Sequence, residues 1–73
     1  MSRLIRLDRT GHTEIAEWNV DGAGVEHARA AFAAELDHGY FAVAPGPDGG
    51  AEQVHELPLD AELVVLRRPI AGG

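Results

Sequence analysis

The stretch that most constrains this 73-residue chain is its last eleven residues, Leu-Val-Val-Leu-Arg-Arg-Pro-Ile-Ala-Gly-Gly. Four strand-forming apolar residues run without a turn signal into Arg67, Arg68 and Pro69, and the sequence ends on two residues that lack side chains. Alternation places Val64 and Leu66 on one face and Leu63 and Val65 on the other, which predicts a strand buried on at least one side. Pro69 has no N–H to give to a ladder, so pairing is not expected beyond Arg68 unless that stretch lies at a sheet edge. Residues 67–73 therefore read as an exposed, extended arm, and seven residues at about 3.3 Å each reach roughly 20 Å. The rest of the chain has to supply a body that holds this strand and leaves its end free.

Residues 4–8, Leu-Ile-Arg-Leu-Asp, form the first short apolar run, with Ile5 and Leu7 on a common face. Arg9, Thr10, Gly11 and His12 make a turn, and residues 13–18 return as a second strand ending on the only Trp. Trp18 in so small a domain reads as a lid over the core rather than a docking anchor. After a polar, Gly-containing linker at 19–24 the period changes. Val25, Ala28, Phe32 and Leu36 recur at three- and four-residue steps, with Glu26, Arg29 and Glu35 between them, which predicts an amphipathic helix over 25–36. Asp21 is the expected cap near its start, and Gly39 the residue that stops it. Residues 40–44 return to strand character. The Pro-Gly-Pro-Asp-Gly-Gly run at 45–50 is a loop; it lacks the following helix and the Lys that a phosphate-binding loop uses. Residues 53–57 form a fourth strand, 58–61 a turn, and Glu62 leads into the last strand. The order ββαβββ predicts one α+β domain spanning 1–73, with a mixed four- to five-stranded sheet and one packed helix.

Composition narrows the function. Twelve acidic against six basic residues give a formal charge of −6, which disfavours nucleic acid because phosphate neutralisation needs a basic face. No apolar run is long enough to span a membrane and none at the amino terminus suits a signal peptide, so a cytoplasmic protein is expected. Without Cys there is no disulfide, thiolate metal site or thiol nucleophile. All six basic residues are Arg; with no Lys, no ε-amine on the chain can capture an activated carboxyl group of its own.

The final segment resembles the carboxyl end of the small sulfur-carrier proteins, among them the small subunit of molybdopterin synthase and the thiamine-pathway sulfur carrier. It resembles ubiquitin more distantly. This resemblance implies a ubiquitin-like β-grasp fold, with first and last strands parallel and adjacent in the sheet's centre, over residues 1–73 with residues 67–73 as the tail. It implies that the Gly73 carboxylate, preceded by Gly72, is adenylated by a ubiquitin-activating-enzyme-like adenylyltransferase. It is then converted to a thiocarboxylate and handed to a downstream sulfur-accepting synthase. Ala71, Ile70, Pro69, Arg68 and Arg67 would be the recognised part of the tail. The terminal glycines suit such a role because residues without Cβ pass down a narrow cleft where branched ones collide. Arg68 stands where the synthase subunit often carries a proline, so the choice between carrier subfamilies stays open. Two alternatives remain: a ubiquitin-like modifier conjugated through Gly73, and a non-covalent β-grasp interaction module whose tail is never activated.

Nothing else in the chain suggests chemistry of its own. Ser2 is the only Ser, and His12, His27, His38 and His55 fall on separate elements. The cluster Glu35, Asp37 and His38 reads as a solvated helix end. The expectation is a protein that is not an enzyme, with no cofactor and no metal site.

Overall fold

The structure, a computed structural model, describes residues 1–9 and 11–68. Six elements follow in order: β1 (Ser2–Asp8), β2 (Gly11–Trp18), α1 (Val25–Asp37), β3 (Phe41–Pro45), β4 (Ala51–Val54) and β5 (Leu63–Arg67). The five strands make one mixed sheet in the order β2-β1-β5-β3-β4. β1 and β5 run parallel, with Arg3 opposite Leu63 and Leu4 opposite Val64; every other pairing is antiparallel. The expected adjacency of first and last strands is thus met, and the last strand is bonded on both sides. Among the described residues no helix is long and apolar enough to cross a membrane.

The core lies between one face of the sheet and α1. Leu4, Val64 and Leu66 contribute no exposed surface, and Ala42 and Ala44 let Ala28 and Phe32 of the helix approach closely. Burial of each large aliphatic side chain stabilises the fold by about 1.5–3 kcal/mol. Trp18 is a lid, as expected: it is buried, and its indole Nε1 donates to the Leu59 carbonyl at 3.0 Å, tying the end of β2 to the β4–β5 connection. That connection also sends Leu57 into the core.

Several boundaries differ from expectation. The fourth strand occupies Ala51–Val54 rather than 53–57, because the loop before it closes tightly and Leu57 is drawn inward. In that loop Gly46 N–H donates to the Gly50 carbonyl and Gly50 N–H to Asp48 Oδ1, so pairing with β3 begins at once. Asp21 does not cap α1. Its carboxylate accepts from Ala23 N–H within the preceding turn, and the N-cap position belongs to Gly24, with no side-chain capping bond. Gly24 has a left-handed backbone, φ +80°, and a Cβ built there would lie 2.6 Å from the Glu17 carbonyl oxygen. The chain therefore enters the helix by pressing its backbone against β2, which only glycine permits. β2 itself carries a bulge at Ile15, since Leu4 faces Ala16 while Ile5 faces Glu14.

At its other end α1 stops as expected, at Gly39, with φ +96°. Gly39 N–H donates to the Leu36 carbonyl and Tyr40 N–H to the Glu35 carbonyl, the paired bonds of a Schellman ending. Tyr40 is thereby fixed in place directly before β3.

Substituting Gly24→Ala imposes both a disfavoured φ and a steric clash. It is expected to lower unfolding stability by about 1–3 kcal/mol, seen as a lower denaturant midpoint at unchanged slope.

Candidate functional site: the root of the terminal segment

Of the residues expected to form the functional tail, Arg67 and Arg68 are described and exposed. Pro69, Ile70, Ala71, Gly72 and Gly73 lie outside the described residues. The root from which they continue is the end of the sheet's central strand. β5 is paired through Arg67, which stands opposite Phe41, and Arg68 is no longer in a strand.

The alternation of β5 gives the two arginines different surroundings. Arg68 continues the parity of Val64 and Leu66, on the helix side. Tyr40 precedes Ala42 and Ala44 on the same side, and Arg6 follows Ser2 and Leu4 there. Just past the helix end these three meet: the guanidinium carbons of Arg6 and of Arg68 each lie 5.6 Å from the centre of the Tyr40 ring. Arg6 Nη1 also donates to Glu35 Oε1 at 2.8 Å, an ion pair whose carboxylate side chain is 11% exposed. Glu35 was expected among the solvated residues and is instead buried, while Asp37 and His38 are exposed as expected. The reason is helical: Ala28, Phe32 and Glu35 fall at steps of four and three, so the carboxylate lies on the stripe facing the sheet and meets Arg6, the β1 arginine on that face.

Two open hollows flank this group. One, of about 550 Å³, is lined by Leu7, Asp8, Arg9, Tyr40 and Arg68; the other, of about 320 Å³, by Arg6, Glu35, His38, Tyr40 and Arg68. Arg6, Arg9 and Arg68 thus line these hollows together with the carboxylates of Asp8 and Glu35, and Arg67 ends β5 beside them. At the far end of the sheet Glu52, Asp60 and Glu62 line another hollow. Arginines therefore outnumber carboxylates where the last strand ends, although the chain as a whole is acidic.

The second feature is the sheet face away from α1. Ile5, Val65 and Val43 stand in one row across β1, β5 and β3, each half-buried, with Leu63 beside them. Arg67 and Phe41 continue this face toward the root. Beneath the β3–β4 loop, Val43, Pro45, Gly49, Gly50, Leu63 and Val65 shape an apolar hollow of about 220 Å³. This face and the Tyr40 group both escaped sequence reading. The parity of Arg6 with Leu4, and of Glu35 with Phe32, was the available signal.

His12, His27, His38 and His55 are exposed and stand on separate segments. Among the described residues no three His, Asp or Glu side chains come together as a metal site. No family profile, no curated protein and no solved structure matches the chain.

The Glu35–Arg6 pair makes an asymmetric prediction. Arg6→Met leaves a buried carboxylate without its counter-charge and is expected to destabilise by about 1–3 kcal/mol. The double substitution Arg6→Met with Glu35→Met is expected to recover most of that loss, as measured by denaturant unfolding of the full cycle.

Proposed function

We propose that this protein is a β-grasp sulfur carrier whose Gly73 carboxylate is activated by a separate ATP-dependent adenylyltransferase. The observation that carries the reading is the position of β5: the strand leading to Arg-Pro-Ile-Ala-Gly-Gly is central, parallel to β1 and hydrogen-bonded on both sides. A reactive end that must be offered to a partner benefits from a rigid origin, because a fixed starting point reduces the freedom lost on binding. Strand order, a single helix on one face, and the residues of the final segment together support the β-grasp assignment within the broader α+β class.

In this reading the chemistry belongs to the partner and the protein supplies the reacting atom. A carboxylate is a poor acyl donor. Attack of the Gly73 carboxylate on the α-phosphorus of ATP releases pyrophosphate and gives an acyl-adenylate. Hydrosulfide sulfur then forms the C–S bond as AMP leaves, and the product is the thiocarboxylate that a sulfur-accepting synthase consumes. The apolar row of Ile5, Val65 and Val43, bordered by Arg67, is the surface on which the activating partner would dock beside the tail. The absence of Lys means that the activated end meets no ε-amine on its own chain, which suits carriage better than the building of Lys-linked polymers.

A second reading, a non-covalent interaction module with an unactivated tail, draws on the same open face, since an apolar row binds without any chemistry at the end of the chain. A modifier conjugated through Gly73 is the third.

Intact-mass spectrometry of the protein produced together with its genomic neighbours separates them. The carrier reading expects a species in which one carboxylate oxygen is replaced by sulfur, lost on deletion of Gly72 and Gly73 with folding unchanged. An ordinary carboxylate beside an active adenylating partner sinks it. Function that survives the deletion supports the non-covalent module, and a fixed mass added to other proteins supports the modifier.

A further inference from the structure

We propose that Tyr40 is a positioning residue that clasps Arg68 and so holds the root of the final segment, with Glu35 acting through Arg6 to keep the ring available. Four observations converge on it. The guanidinium of Arg68 lies over the ring, which attracts cations electrostatically. The backbone that carries the ring is held by the Tyr40 N–H donating to the Glu35 carbonyl in the helix ending, and Tyr40 packs against the core. A second guanidinium, that of Arg6, lies at the same 5.6 Å distance from the ring. Two cations at one ring oppose each other, and the Glu35 carboxylate at 2.8 Å from Arg6 offsets that opposition.

The consequence is a line of contact from the buried face of the helix to the root of the tail: Glu35 to Arg6, Arg6 to Tyr40, Tyr40 to Arg68. Arg67, one residue earlier, has the opposite parity and no part in it. A partner that takes hold of the segment after Arg68 meets an Arg side chain whose freedom is already partly restricted. What the clasp is for rests on the carrier reading; whether it exists does not.

Limited trypsin digestion of the protein alone tests it. Cleavage at Arg67–Arg68 removes residues 68–73 and requires Arg68 to leave the ring, while Pro69 protects the following bond. Tyr40→Leu is expected to raise that cleavage rate about two- to fivefold, the strength of an exposed cation–π contact, and Tyr40→Phe to leave it at the parental value. Glu35→Gln is expected to raise it by a smaller factor. Because Tyr40→Leu could fail to fold, the unsubstituted protein gives a second measurement: side-chain protons of Arg68 shifted upfield by the ring in the NMR spectrum. Random-coil shifts for Arg68, equal cleavage of the Leu variant and the parent, or equal cleavage of the Phe and Leu variants would each overturn the proposal. An ordinary carboxylate at Gly73 would leave the clasp standing and remove only its proposed use.

Discussion

The structure depends on one contact, the parallel pairing of the first and last strands beneath the helix. Leu4 on β1 and Val64 and Leu66 on β5 are wholly enclosed against Ala28 and Phe32. A chain of this length has little core to spare, because small domains bury a low fraction of their surface. Losing this pairing would therefore leave the β1–β2 hairpin and the β3–β4–β5 half of the sheet joined only through the helix and the Trp18–Leu59 bond. β2 adds to the outside of β1, and the β3–β4 hairpin to the outside of β5. Trp18 and Leu57 close the ends of the sandwich, the first by its indole bond to the Leu59 carbonyl.

Because β5 is central, its end is held by strands on both sides. The two sheet faces then diverge. On the helix side the apolar core gives way, past the helix end, to Arg6, Tyr40 and Arg68 over the buried Glu35. On the other side Ile5, Val65 and Val43 form an apolar row running toward Arg67 and Phe41. A partner approaching the last strand thus finds apolar surface on one face and cationic side chains at the tip, while acidic groups dominate the far end.

Local periodicity made the main elements legible. The 3.6-residue recurrence of Val25, Ala28, Phe32 and Leu36 gave the helix within a residue of its observed span, and Gly39 its end. Alternation in Leu-Val-Val-Leu put Val64 and Leu66 together on the face that is buried. Where signals were short, boundaries moved: Asp21 satisfies a turn instead of the helix, and β4 begins as soon as the Pro-Gly loop closes. Single polar side chains satisfy whichever backbone group the tertiary structure brings nearest, and a four-residue strand has too few alternations to fix its ends.

What the sequence determined by itself was the set of elements, the apolar last strand and the unusual segment that follows it, because these are written in neighbouring residues at helix and strand periods. What only the tertiary structure decided was which distant residues meet. Glu35 and Arg6 are 29 positions apart, and Tyr40 and Arg68 are comparably distant; each looks like an ordinary surface residue until the sheet sets β1, β3 and β5 side by side. Their pairing follows from strand order and from the angle at which the helix lies across the sheet, and neither quantity has a local sequence signature.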